Sequence, residues 1–242
     1  MKPKVTTYLL LIGHVATGLV LLVLIQQLKL PADIKTGIIF TVLLLLNLLY
    51  ARIFDLKETL NEYWSLQKLP YMFAGFCAGL ALVAIPIIAA LITGRISIDK
   101  VQIGSFSIAS VFLTFLIIGW EELWFRSLLL NYCSRHLSKF NIALTMGLLF
   151  MLIHLLNPEI RLIKEGLVLF LAGALLTSFY FYYRTIWLPA GLHFGNNFFG
   201  SIIHSNITSH PVFGSEGYIY TALLLVATIY FLLKLRTDRV GD

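Results

Sequence analysis

Eight stretches of about 20 mainly apolar residues follow one another along this chain, at residues 6–27, 36–54, 71–93, 106–131, 139–157, 165–183, 185–205 and 217–235. A helix of that length, rising 1.5 Å per residue, crosses a hydrocarbon core about 30 Å thick. Composition agrees: 59% of the 242 residues are hydrophobic and 12% are charged, against roughly 25% charged in an ordinary soluble domain. The expected fold is therefore all-α, a polytopic membrane protein with about eight transmembrane helices around a polar cavity. The seventh stretch is the least hydrophobic. The first exceeds the apolar region of a signal peptide and lacks a small-residue cleavage site before Gln26 and Gln27.

Lys and Arg in the short connecting segments set the orientation. They are more frequent on the side of the N-terminus, which includes residues 55–70, 132–139, Arg184 and the C-terminus. The opposite side holds Lys29, Lys35, Arg95, Lys100, Arg161 and Lys164. Both termini are thus expected in the cytoplasm, and the net charge of +6 is accounted for by this bias and an anionic inner leaflet rather than by nucleic acid. Cys77 and Cys133 then fall toward the reducing side, so no disulfide is expected. Residues 51–70 form the longest polar segment, read equally as an interfacial amphipathic helix or a plain connector. The chain divides into residues 1–105, about three transmembrane helices with that interfacial segment, and residues 106–242, which carry the polar residues and the last span.

The chemistry starts in "LIIGWEELWFRSLLL", residues 116–130. An ionisable group in mid-membrane costs about 2.5–3.5 kcal/mol on insertion scales, so it must face a partner or a wet cavity. Glu122 and Arg126 have the i, i+4 order that favours a carboxylate–guanidinium pair. Glu121 points about 100° away and has no matched local cation. Burial disfavours the charged form of a carboxyl, and a carboxyl poised near neutrality can take a proton from water. The same three residues read equally well as an inert network that fixes helix packing.

The fifth span carries "FMLIHLLNP", with His154 one turn after Phe150, and the seventh carries "PAGLHFGNNFFG", with His193 and Asn197 on one face. A lone intramembrane histidine commonly serves as interhelical hydrogen-bonding glue. Gly191 and Gly195 have the spacing that admits a close neighbouring helix, and Pro189 is tolerated near a helix start. Asn196 lies about 100° from Asn197 and ranks second. If the three helices meet at one depth, Glu121 and His154 can activate water while His193 and Asn197 donate to an oxyanion. Zinc is the alternative use of imidazole and carboxylate, although no His-Glu-x-x-His run is present and asparagine is a poor ligand. His14 reads as a packing histidine, His204 and His210 as solvated, the Asn206 triplet as chance, and the aromatics of residues 179–184 and 217–220 as a membrane-interface belt.

The ordered set Glu121-Glu122-x-x-x-Arg126, Phe150-x-x-x-His154 and His193-x-x-x-Asn197 resembles the motifs of the CAAX prenyl protease and bacteriocin-processing (CPBP, or Abi) family of intramembrane endopeptidases. The resemblance covers residues of roughly 115–200 in this chain. It implies an eight-helix bundle whose cavity opens to the cytoplasm and the lipid. It implies Glu121 as the water-activating base assisted by His154, His193 and Asn197 as oxyanion stabilisers, Glu122 and Arg126 as support, and no required cofactor. It also implies a peptide or protein substrate, lipidated or bacteriocin-related, and a bacterial cell membrane as the location. Two rivals stand beside it: an ion- or proton-coupled transporter, since buried Glu, Arg and His also mark ion paths, and a non-catalytic immunity protein that sequesters a toxin.

Overall fold

The computed structural model describes residues 13–14, 16–18, 20–21, 23–25, 27–53, 62–94, 101–103, 108–134, 137–154, 162–205 and 218–237. Residues 54–61 of the interfacial candidate at 51–70, the Asn206 triplet and His210 lie outside the described residues. We number the helices α1 (Ala32–Ile53), α2 (Pro70–Ile92), α3 (Ile108–Glu122), α4 (Lys139–His154), α5 (Leu162–Tyr183), α6 (Trp187–Ile202) and α7 (Tyr218–Thr237). A shorter apolar helix, Ala16–Ile25, precedes them. Beyond Glu122 the backbone of α3 widens into a π-helix, Leu123–Leu129, and returns to α-helix at Leu130–Ser134.

Among the described residues, five helical segments are long and apolar enough to cross a membrane: Ala32–Ile53, Leu66–Ile92, Ile108–Leu129, Glu165–Tyr183 and Tyr218–Arg236. Their outer faces keep large apolar side chains uncovered, among them Phe73 at 72%, Ile108 at 84% and Val226 at 68% exposure. Such surface is costly in water and ordinary in lipid, where the helix satisfies its own backbone. Helix α4 and the helix Ala16–Ile25 are shorter, and α6 has 16 residues.

Strand structure enters this all-helical fold once among the described residues, as a pair of three-residue strands. Val101–Ile103 pairs antiparallel with Ile203–Ser205, with His204 opposite Gln102. Both segments lie just outside helices, where backbone groups need partners from elsewhere. The pair ties the chain ahead of α3 to the end of α6.

The tightest helix crossing is α2 on α6, and glycine makes it. A Cβ on Gly75 or Gly79 would collide with the carbonyl oxygens of Leu188 and Leu192, and one on Gly191 or Gly195 with those of Met72 and Phe76. Two small-xxx-small stripes thus face each other, which brings the backbones into contact. His193 lies two residues from each of Gly191 and Gly195, about 200° around the helix, so pressing α6 onto α2 turns its histidine away toward α3. A second close crossing sets Gly147 of α4 against Gly173 of α5, where a side chain on Gly173 would meet Phe150.

Residues 62–69 brace the turn between α5 and α6. Ile186 N–H donates to the Tyr63 carbonyl at 3.0 Å, the Trp187 indole N–H to the Ser65 carbonyl at 2.9 Å, and Lys68 to the carbonyl of Arg184 at 2.6 Å. Arg184 itself takes a left-handed backbone conformation, φ +49°, and pairs with Glu62. Trp64 reaches inward and donates to Ser127 Oγ of the π segment at 3.0 Å. The core beneath is built from Phe125, Leu129, Ile142, Met146, Phe150 and Tyr180, with Tyr180 stacked on Tyr63 at 4.3 Å.

Candidate active site

Glu122 and Arg126 form the pair that their spacing predicts: Arg126 Nη1 donates to Glu122 Oε1 at 3.1 Å, with the side chains 1% and 0% exposed. The pair forms across the turn where α3 becomes π-helix, a distortion that recurs at functional sites. Arg126 lies close to the Phe125 and Phe150 rings, 5.5 and 5.6 Å from their centroids. Its Nη2 also reaches the Gly173 carbonyl at 3.4 Å. A buried guanidinium is tolerable only with such compensation.

Glu122 Oε1 holds a second donor, His193 Nδ1 at 3.0 Å. A carboxylate oxygen accepts, so Nδ1 carries the hydrogen and Nε2 is aimed onward. It points at Glu121, 3.6 Å from Oε2. His154 approaches the same carboxyl from α4, with Nε2 at 3.9 Å from Glu121 Oε1. Its Nδ1 lies 2.8 Å from the Phe150 carbonyl, and because a carbonyl only accepts, this tautomer too leaves Nε2 facing Glu121. Phe150, one turn before His154, packs its ring against both imidazoles, at 4.2 and 5.8 Å. Glu121 is therefore bracketed by two imidazoles from two other helices. Both gaps exceed a direct hydrogen bond. Glu121 Oε2 is buried without a protein hydrogen-bond partner.

Asn197 stands apart from this cluster. It is exposed and lines, with His154 and His193, a cavity of about 250 Å³ beside it. Asn196 lines the same cavity, is half-buried, and accepts a 2.7 Å hydrogen bond from Tyr220 of α7. Two participants escaped the sequence reading. Tyr220 looked like one more interface aromatic. Asn47, fully buried in α1, donates to the Trp120 carbonyl at 3.2 Å, next to Glu121. A lone amide inside residues 36–54 was the signal for it, since polar side chains in a span seek partners across helices.

Residues 103–199 match the family model described as Type II CAAX prenyl endopeptidase Rce1-like. This segment is similar to that family. It contains every motif residue through which the chain resembles the CAAX protease family, from Glu121 to Asn197, and it ends before α7. No curated protein matches the chain. The segment similar to CAAX prenyl endopeptidases is set within a helical protein, several of whose helices are long and apolar enough to cross a membrane.

For zinc, the donor types are suitable. Among the described residues, however, no group of three or more His, Cys, Asp or Glu is arranged to hold a metal ion. The Nδ1 atoms of both histidines are engaged by Glu122 and the Phe150 carbonyl. Cys77 and Cys133 are both free thiols.

Proposed function

We propose that this chain is an intramembrane endopeptidase in which Glu121 activates the attacking water. The convergence of Glu121, His154 and His193 from α3, α4 and α6 carries the reading, because three separate helices deliver a carboxyl and two imidazoles to one point beside a cavity. A water held beside Glu121 and His154 donates a hydrogen to the Glu121 carboxylate and keeps a lone pair for the scissile carbonyl carbon. As the new C–O bond forms, its proton passes to Glu121. The carbonyl electron pair becomes an oxyanion, which N–H donors of His193 and Asn197 stabilise. Collapse of the tetrahedral species breaks the C–N bond, and Glu121 returns the proton to the leaving nitrogen. Glu122 and Arg126 support the step by holding the His193 ring in place.

The substrate class in this proposal is a lipid-modified peptide end, as in CAAX processing, with bacteriocin maturation or self-immunity in a bacterial cell membrane as its setting. An apolar groove of about 800 Å³, walled by Ala78, Ile85, Ala222 and Val226, supports it. Leu82 and Leu192 border both the groove and the polar cavity, so an apolar chain in one can continue into a peptide in the other. The proposal further includes eight crossing helices with both termini cytoplasmic, and residues 106–242 as the catalytic unit.

The decisive experiment is cleavage of an internally quenched, prenylated CAAX peptide by detergent-purified wild type and Glu121→Gln, with metal analysis of the same preparations. Wild type cleaves, and Glu121→Gln, which keeps shape and loses the base, falls by at least about 100-fold. Cleavage that survives chelation and metal removal supports Glu121 acting without zinc, and loss restored by zinc overturns that part. Ion or solute flux in proteoliposomes with no cleavage would instead favour a transporter.

A further inference from the structure

The last helix supplies a polar group that the motifs do not contain. The Tyr220 ring sits in the first turn of α7 and packs against two apolar clusters, Val83, Ile87 and Ala90 from α2, and Leu171, Leu175 and Leu224 from α5 and α7. Contacts on both sides leave the ring little freedom, so its hydroxyl is delivered to a fixed point on the wall of the polar cavity. There it donates to Asn196 Oδ1 at 2.7 Å, the usual length of an O–H···O bond. An accepted bond at Oδ1 turns the other end of the amide outward, and Asn196 Nδ2 lies 3.4 Å from Asn197 Oδ1. Asn197 Oδ1 is thereby the accepting end, and Asn197 Nδ2 is left as the free donor on the cavity wall.

We propose that Tyr220 is a positioning residue: its hydroxyl sets the direction of a hydrogen-bonded chain, Tyr220 to Asn196 to Asn197, that presents the Asn197 amide N–H toward the reacting peptide. The inference rests on the endopeptidase reading and extends the site beyond the Rce1-like segment, which ends at residue 199. A donor fixed before the reaction needs no reorganisation when charge develops on the oxyanion. Tyr220 touches no reacting atom, so its effect passes entirely through the two amides.

Tyr220→Phe keeps the ring that packs and removes only the hydroxyl. Detergent-purified full-length wild type, Tyr220→Phe, Asn197→Ala, the double variant and Glu121→Gln are compared on the same prenylated peptide. Tyr220→Phe is expected to lower kcat by roughly tenfold or more, with KM and melting temperature near wild type. In the Asn197→Ala background the same change has little further effect, because the group through which it acts is already gone. Wild-type kcat in Tyr220→Phe, with Glu121→Gln inactive, overturns the inference and leaves the endopeptidase reading intact. A kcat loss that is fully additive with Asn197→Ala, or that comes with a large fall in melting temperature, assigns Tyr220 a packing role and also overturns it. Absence of cleavage by wild type overturns both.

Discussion

Arg126 is the most fully enclosed charge in the described part of the molecule, and its removal tests how the site is held. With Arg126→Met the Glu122 carboxyl keeps only His193, and breaking a buried ion pair from one side costs about 3–5 kcal/mol. A clearly lower melting temperature in detergent is the expected result. Removing the partner as well, in Glu122→Leu/Arg126→Met, should recover much of that stability, because two apolar side chains leave nothing uncompensated. Activity should not recover, since His193 then lacks the acceptor at 3.0 Å that fixes its ring. A double variant as unstable as the single one would count against the pair as the source of the loss. At this scale the sequence was legible where a residue type conflicts with its surroundings. Two glutamates, an arginine and two histidines inside apolar spans have few reasons to be there. Tyr220 was not legible, because a tyrosine at the end of a span already has a sufficient reason in the membrane interface. Asn197 shares a helical face with His193, and Asn196 beside it is the half-buried amide that accepts from the Tyr220 hydroxyl.

Among the elements, α6 depends on α2 for its rotation. The Gly191 and Gly195 stripe could be read from spacing, and its partner, Gly75 and Gly79, has the same spacing in the third span. Which stripe meets which is a property of three-dimensional packing and has no local signature. Gly191→Leu would drive a side chain into the Met72 carbonyl. Such overpacking typically costs about 1–3 kcal/mol, and relief requires α6 to move off α2, which carries His193 away from Glu121. Activity should therefore fall more steeply than the melting temperature alone explains. The π segment at Leu123–Leu129 was likewise invisible in the residue pattern, because its seven residues read as an ordinary continuation of an apolar helix. Two hydrogen bonds from other segments hold its surroundings: Trp64 donates to Ser127 within it, and Asn47 of α1 donates to the Trp120 carbonyl just before it.

At the scale of the whole molecule, a polar cavity and an apolar groove share a border at Leu82 and Leu192, and α2 and α7 wall the groove. The proposed hydrolysis needs water at Glu121, whereas the outer surface of α7 is apolar and suited to lipid. A substrate with a lipid chain on one side of its scissile bond matches this division, because each part meets surroundings of its own polarity. Ala222 lines the groove and is exposed, so Ala222→Trp should fill it without disturbing buried packing. The expected result is a raised KM for the prenylated peptide, with kcat nearly unchanged, because only binding common to ground and transition states is lost. The same peptide without its prenyl group has nothing to place in the groove, so its kcat/KM should be the same in wild type and Ala222→Trp. Equal losses for the two peptides would mean that the groove does not read the lipid and that specificity lies in the polar cavity alone.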